Sequence, residues 1–372
     1  MVLVVACASA RPPVVGLWVQ AEGENRTLDD RARLERLLDQ ASRAGVTDLF
    51  VQVYRGGRSW FPSSLADDAP SRRAGVFPLA FLLREGHRRG LRVHAWLNAF
   101  RVANNRDAPI LRRLGPQAVL RDNRGRSLLD AKGEEGGFRL GTPGIWLDPA
   151  HPGVRRYLLS LIAELLRRHP DLDGLHLDFI RYPYALPISP SSSFGLRRDF
   201  GYTEVAIRRF FLETGRAAPL RPGEPGGHAW DTWRRAQVTS FISEVRRLTR
   251  ELAPRVELTA AVIPWADRAY LAAFQDWRGW LEGGLIDAAL VMNYTPDADL
   301  ARHVSRQSAA VRGKGRVYVG LGAYLLAERP EVLWRQWREA KEAGGDGVVL
   351  FSYDQMVGRK ELWRFPVAAA PR

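Results

Sequence analysis

The sequence predicts an α/β fold in which eight parallel strands alternate with helices and close into a (β/α)8 or TIM barrel. Two observations on the chain of 372 residues support this prediction: short β-branched or aromatic runs alternate with longer amphipathic segments, and there are eight such runs. The strand runs are nearly continuous apolar stretches, which is typical of a parallel sheet covered by helices. Eight repeats fit a closed barrel better than an open doubly wound sheet, which is the alternative.

The predicted elements follow from this alternation. The strands are predicted at 14–20, 47–54, 91–98, 172–179, 257–264, 286–294, 316–324 and 347–354. The helices are predicted at 29–44, 78–89, 152–169, 231–252, 267–282, 298–312 and 331–343. Asp29 and Asp30 are suitable N-terminal capping residues for the first helix, in which Leu34, Leu37 and Leu38 mark an apolar face.

Two longer segments interrupt the alternation. Residues 99–146, after strand 3, are rich in Arg, Gly and Asn, and residues 180–230, after strand 4, are rich in Pro, Ser and Gly. Both follow strand C-termini, the face on which barrel enzymes build their active sites. Both also contain aromatic residues, namely Phe138, Trp146, Tyr184, Phe194 and Tyr202. We therefore predict functional loops, and one catalytic domain at 13–372 with long insertions after strands 3 and 4.

The formal net charge of +14 suggests nucleic-acid binding at first sight. Only four of the 55 cationic residues are lysines, and the arginines are scattered over the whole chain. This distribution fits a coding bias better than a selected phosphate-binding face, so no nucleic-acid partner is predicted. A basic surface still favours an anionic substrate such as a cell-wall polymer.

Residues 1–12 are interpreted as a signal-peptide remnant. The first ten residues are apolar and end in Ala-Ser-Ala, which fits a cleavage site, although a basic start is missing. Cys7 is the single cysteine, so no intramolecular disulfide can form, and it ends a loose lipoprotein-type motif that would carry a lipid anchor. We expect an extracytoplasmic protein (periplasm, envelope or secreted). A frayed apolar terminus of a cytoplasmic protein is the alternative.

The most informative segment is 171–183, where Asp178 ends the predicted fourth strand. A buried carboxylate needs a partner, and Arg181 is the candidate. An ion pair that only orders the loop is the alternative. The presence of Tyr182 and the start of a long insertion at this face favour a functional site.

Three segments resemble the glycosyl-hydrolase-like family 10, a branch of the barrel glycosidase superfamily. They are DGLHLDFIRYP at 173–183, VHAWLNAFR at 93–101 and QDWRGWLEGGLIDAALVMNY at 275–294. They occur in the family's order, and the resemblance covers most of the chain. It implies a barrel that hydrolyses bacterial glycans, including peptidoglycan strands, and it implies no redox cofactor.

The fourth strand also looks like the DGxDxDxE motif of family 18 chitinases. In this chain His176 replaces the middle aspartate and Ile180 replaces the catalytic glutamate. The acid that substrate-assisted cleavage requires is therefore missing, and this mechanism is excluded.

Other glycosidases place two carboxyl groups on either side of the scissile bond. Asp178 is predicted to be the nucleophile or the charge-stabilising carboxylate. The proton donor stays open, because no glutamate lies at the C-terminal end of a predicted strand. Asp354, at the predicted end of strand 8, is the first candidate and Asp148 the second, although Asp148 is also suited to a turn. Glu22 and Asp267 are the remaining candidates, and the donor would need a raised pKa.

Sugar-binding groups are expected around these acids, because amides and arginines hold hydroxyls and aromatic faces stack on pyranose rings. The predicted set is Tyr54, Trp96, Asn98, Arg101, Arg181, Tyr182, Trp265, Asn293 and Tyr294. Core packing is the alternative for each aromatic residue. His94 and His176 are expected to lie deeper in the barrel and to be structural.

Metal and cofactor motifs such as HExxH, CxxC pairs and phosphate-binding glycine loops do not occur, so neither a metal nor a cofactor is predicted. The sequence thus predicts a glycoside hydrolase whose partner is a polysaccharide. The alternative is a carbohydrate-binding barrel without catalysis that serves as a cell-wall scaffold.

Overall fold

The computed structural model describes residues 13–130, 134–135, 138–186, 198–221 and 224–366. Eight parallel strands form a closed barrel, because the first strand pairs with both the second and the eighth. In chain order they are β1 Val14–Val19, β2 Asp48–Arg55, β3 Arg92–Asn98, β4 Gly174–Asp178, β5 Glu257–Val262, β6 Ala288–Asn293, β7 Arg316–Gly322 and β8 Gly347–Phe351. The predicted (β/α)8 barrel is confirmed. The residues interpreted as a signal-peptide remnant, with Cys7, lie outside the described residues.

Helices connect the strands. The longer ones are Arg31–Arg43, Pro78–His87, Pro152–Arg168, Glu204–Thr214, Gly227–Leu252, Ala298–Ala310 and Pro330–Glu342. The shorter ones are Ala69–Arg73, Pro109–Leu114, Ala266–Ala272, Trp277–Glu282, Ala323–Leu326 and Tyr353–Met356. The helix predicted at 267–282 is two helices, because Phe274 adopts a left-handed φ of 52° and Asp276 caps a new helix at the Gly279 N–H.

The segments that follow β3 and β4 lie against each other. Phe138–Leu140 pairs antiparallel with Ala185–Leu186, and Arg101–Ala103 pairs antiparallel with Ile145–Trp146. The first pairing brings the chain after β3 beside the chain after β4, and the second closes the segment after β3 on itself.

Ion pairs occupy the N-terminal end of the barrel interior. The Arg92 guanidinium lies 2.8 Å from Asp48 and 2.9 Å from Glu257, and Arg316 lies 2.6 Å from Glu257. Each of these buried carboxylates therefore has a cationic partner, as burial of charge requires.

A hydrogen-bonded layer follows in the middle of the barrel. Trp18 Nε1 donates to His176 Nε2 at 3.1 Å, and His176 Nδ1 lies 2.9 Å from Thr259 Oγ1. Since an indole can only donate, His176 is neutral and carries its proton on Nδ1. Burial lowers the pKa of His176 well below its usual value. Gly320 leaves room for the Trp18 ring, because a Cβ there would lie 2.7 Å from the indole Cη2 atom.

Candidate active site

A cavity of about 560 Å³ lies at the C-terminal ends of the barrel strands. Its polar lining residues are Gln20, Gln52, Arg55, Asn98, Arg101, Thr142, Asp178 and Arg181. Its aromatic lining residues are Trp18, Trp96, Phe179, Tyr184, Tyr294, Tyr324 and Phe351. The volume lies in the range of small-molecule sites, and aromatic walls combined with convergent polar groups are typical of them.

Asp178 is the last residue of β4 and points into the cavity. Its Oδ1 accepts a hydrogen bond from the Phe179 N–H at 2.6 Å, and its Oδ2 accepts one from Trp96 Nε1 at 3.2 Å. Phe179 adopts a left-handed φ of 50°, a strained conformation often found at functional sites. Burial raises the pKa of Asp178, against the opposing effects of the Phe179 N–H and Arg181. Among the described residues that line the cavity, Asp178 is the single carboxylic acid.

Asn98 lies beside Asp178 in the same layer, at the end of β3. Gln52 Nε2 donates to Asn98 Oδ1 at 3.2 Å, while Gln52 Oε1 accepts from the Ala21 N–H at 3.3 Å. The two amides are therefore held in fixed orientations from neighbouring strands. Such oriented amides suit recognition of sugar hydroxyls.

An aromatic wall faces these polar groups. The centre of the Tyr294 ring lies 5.4 Å from that of Phe351 and 5.9 Å from that of Tyr324. The ring centres of Trp18 and Phe351 are 5.9 Å apart. Trp18, Tyr324 and Phe351 are not among the residues predicted to bind sugar. The alternation of side chains along a strand could have indicated two of them. Trp18 lies two residues before Gln20, which lines the cavity, and Phe351 lies two residues after Val349, which packs in the barrel interior.

Arg181 and Arg101 line the opposite side. The Arg181 guanidinium lies 4.9 Å from the centre of the Trp146 ring and 5.3 Å from that of Tyr184, and it donates to the Tyr182 carbonyl oxygen at 3.2 Å. It does not form the expected hydrogen bond to Asp178, because the aromatic rings of the two adjoining segments hold it. Arg101 donates to the Pro143 carbonyl oxygen at 2.6 Å. Both lie in the cavity, as does Trp96.

Four residues predicted to bind sugar do not line the cavity: Tyr54, Tyr182, Trp265 and Asn293. An irregularity of the β2–β3 register between Gln52 and Tyr54 turns Tyr54 away from the interior. Asn293 is outward-facing on β6 and donates to the Ala301 carbonyl oxygen at 2.8 Å.

Tyr182 and Trp265 contact other parts of the chain. The buried Tyr182 ring packs edge-on against Phe274, with ring centres 5.4 Å apart. The backbone N–H of Tyr182 donates to the Ala273 carbonyl oxygen. Trp265 precedes the helix Ala266–Ala272, and its ring centre lies 5.8 Å from that of His303.

Asp354, the first candidate for the proton donor, also lies outside the cavity lining. β8 ends at Phe351, three residues before the predicted end, so Asp354 lies in the short helix Tyr353–Met356. Its Oδ1 accepts a hydrogen bond from the Asn25 N–H at 2.9 Å, and Phe351 takes the inward position at the end of the strand.

The remaining candidate acids are not part of the cavity lining either. Glu22 lies 3.2 Å from the guanidinium of Arg55, which does line the cavity. Asp267 is in the first turn of the helix Ala266–Ala272. Asp148 is fully buried and accepts hydrogen bonds from the Ala150 N–H at 2.8 Å and from the Thr203 hydroxyl.

We expect Asp148→Asn to stabilise the fold at pH 7.5 and to lose this advantage towards pH 4.5. Burial raises the pKa of Asp148 to about 6, whereas an unfolded aspartate titrates near 3.9. The native state therefore binds the extra proton between these values, and stability falls as the pH rises through them. An asparagine keeps the uncharged form, so the difference at pH 7.5 is about 3 kcal/mol. Urea unfolding of both proteins at pH 4.5, 6 and 7.5 measures it. A pH-independent difference would contradict this prediction.

In the parts of the chain that the structure describes, no group of three or more His, Cys, Asp or Glu side chains is arranged to hold a metal ion. The described part of the chain contains no helix with the length and apolarity needed to cross a bilayer.

The glycosyl hydrolase-like 10 family model matches residues 13–339. The chain belongs to this family. The glycosyl hydrolase DigH of Escherichia coli K12 is 24% identical to it over 355 residues, which cover 86% of this chain and 72% of DigH. The glycosyl hydrolase YngK of Bacillus subtilis is 24% identical over 273 residues, which cover 68% of this chain and 46% of YngK.

Solved structures share the barrel of this glycosyl hydrolase-like 10 member. A β-galactosidase from Bacillus circulans sp. alkalophilus superposes with a TM-score of 0.61 at 14% identity, over 92% of this chain and 50% of the enzyme. An endo-1,4-β-D-mannanase from Thermotoga petrophila superposes with a TM-score of 0.51 at 11% identity, over 91% of this chain and 88% of the enzyme. The chain thus spans half the length of the β-galactosidase, and at these identities the likeness shows the fold.

Proposed function

We propose that the protein hydrolyses O-glycosidic bonds of a bacterial envelope or extracellular polysaccharide, with the glycan strands of peptidoglycan as the first substrate to test. The observation that carries this proposal is the position of Asp178, buried at the base of an aromatic-lined cavity at the C-terminal end of the barrel. Family membership supports a glycosidase activity. The substrate and the role of each side chain are our proposal.

In this proposal Asp178 acts on the anomeric carbon of the bound sugar. The Phe179 and Trp96 N–H groups fix the carboxylate in one orientation, and burial removes most of its water. A desolvated, oriented carboxylate stabilises the positive charge that develops on the sugar ring as the glycosidic C–O bond breaks, or attacks the anomeric carbon as a nucleophile while that bond breaks. The leaving oxygen takes a proton from solvent water, and water then adds at the anomeric carbon to complete hydrolysis. The Tyr294 and Trp18 rings offer apolar faces on which a pyranose ring can stack.

A carbohydrate-binding barrel without catalysis is the second candidate function. One observation favours it: the described lining of the cavity contains one carboxylic acid, whereas acid-base glycosidases use two. Such a protein would bind the polysaccharide at the same aromatic wall and leave its bonds intact.

The proposal places the protein outside the cytoplasm, where such polysaccharides occur, with a polysaccharide and no nucleic acid as its partner. The scattering of the arginines over the whole chain supports the absence of a nucleic-acid partner, because a phosphate-binding face would gather them. Anchoring through a lipid on Cys7 is part of the same proposal.

Release of soluble glycan from purified sacculi, and from a panel of neutral polysaccharides, tests the proposal. We expect release from sacculi by the wild type and none by Asp178→Asn, with both proteins bound to the substrate in a sedimentation assay. Binding by both proteins without release by either would support the binding barrel instead. Release and binding confined to neutral polysaccharides would contradict the choice of substrate.

A further inference from the structure

The charges that line the cavity do not balance. Three guanidinium groups, those of Arg55, Arg101 and Arg181, share the lining with the carboxylate of Asp178. Arg55 lies 3.2 Å from the Glu22 carboxylate, which it shares with Arg58 at 2.9 Å. Arg58 also lies 3.8 Å from Asp67, so these two arginines and two acids balance. Two guanidiniums and one carboxylate remain, so the described lining carries one excess positive charge.

The partners of the two remaining arginines are neutral. Arg101 donates from Nε and Nη2 to the Pro143 carbonyl oxygen, at 3.1 and 2.6 Å. Arg181, only 4% exposed, donates to the Tyr182 carbonyl oxygen at 3.2 Å and to Thr142 Oγ1 at 3.4 Å. Among the described residues, neither arginine lies within ion-pairing distance of a carboxylate.

Aromatic rings alone do not account for this arrangement. The Phe179 ring centre lies 5.0 Å from the Arg101 guanidinium and 5.4 Å from that of Arg181, so the two cations share one ring. Cation–π contacts stabilise a guanidinium but do not neutralise its charge, so the excess positive charge of the lining remains. Burial and the neighbouring Arg55 and Arg181 lower the pKa of Arg101 to about 10, against the attraction of Asp178.

We propose that the cavity binds a sugar residue that carries a carboxylate, held by Arg101 and Arg181. This inference rests on the proposed function and names the substrate class of the same site. A guanidinium is planar and presents paired N–H groups that match a carboxylate. A monoanion also removes the single excess charge, whereas a neutral sugar leaves it. The acid group lies on the Phe179 side of Asp178, and the rest of the glycan lies along the Trp18 and Tyr294 wall.

Calorimetric titration with matched sugar pairs tests this subsite. The probes are glucuronate with glucose, galacturonate with galactose, and N-acetylmuramate with N-acetylglucosamine, each at pH 7 in 150 mM salt. We expect at least one acid to bind about tenfold or more tightly than its neutral partner. Arg101→Gln and Arg181→Gln should reduce this preference to about twofold or less. Arg84→Gln, the same change of charge in the surface helix Pro78–His87, should keep it.

Failure of any acid to bind better than its neutral partner would overturn the subsite, and so would a preference that survives Arg101→Gln. That variant is the decisive one if the buried Arg181→Gln fails to fold. Because free monosaccharides contain no glycosidic bond, the titration is independent of glycosidase activity. Glycan release by a protein that shows no preference for acidic sugars would support the proposed function and contradict the carboxylate subsite. A preference for acidic sugars in a protein that releases no glycan would support the carboxylate subsite and the carbohydrate-binding barrel without catalysis.

Discussion

Replacing Asp178 by asparagine is expected to lower the rate of glycan release by at least about 1,000-fold, because the group that stabilises the reacting sugar loses its charge. Asparagine also disturbs the local hydrogen bonds. Both carboxylate oxygens accept from N–H donors, Phe179 on one side and Trp96 on the other. The amide NH2 group of asparagine must face one of these donors. The measurement is the initial rate of release from whichever polysaccharide the wild type cleaves, at saturating and at limiting substrate.

Asp354→Asn is the matched control for this experiment, since it removes a second buried carboxylate near the C-terminal ends of the strands. We expect it to keep release within a few-fold of wild type, because Asp354 accepts from Asn25 and does not line the cavity. Release lost only in Asp354→Asn would return Asp354 to the role of proton donor. More than a tenth of wild-type release by a folded Asp178→Asn would contradict the central role of Asp178.

The sequence was sufficient to predict the barrel, because each strand is recognisable locally as a short apolar run between turn residues. It was less reliable at the ends of strands, where the site is built. The predicted eighth strand ran on to Asp354, although β8 ends at Phe351. Tyr54 follows a register irregularity that no local pattern marks, and this irregularity reverses the direction in which the side chain points.

The contacts that organise the cavity join residues that are distant in the chain. Trp18 donates to His176, 158 positions later, and Arg181 lies against Trp146 and Tyr184 from the two segments joined by short antiparallel strands. One sequence without its relatives carries no signal for such pairs. The positions of Asp178, Trp96 and Asn98 could be predicted from the sequence. They depend only on where the strand ends and on the alternation of side chains along it.

Gly174→Ala is expected to destabilise the barrel by about 3 kcal/mol, at the upper end of the cost of overpacking a core. A Cβ at this position in β4 would lie 1.9 Å from His94 Nδ1. The histidine has no room to retreat, since its Nε2 lies 2.7 Å from Asp48 Oδ1 and its ring stacks on Phe50 with centres 4.4 Å apart. The free energy of unfolding from urea titrations at pH 7.5 measures the loss.

A double-mutant cycle with His94→Ala separates this clash from a general effect of the added methyl group. His94→Ala alone also destabilises the fold, because it leaves a cavity beside Phe50 and removes a partner of Asp48. With the ring gone, the alanine at position 174 fills part of the space. The double variant should therefore be more stable than the sum of the single effects predicts, by about 1 kcal/mol or more. Strict additivity would show that the cost of Gly174→Ala arises elsewhere than at His94.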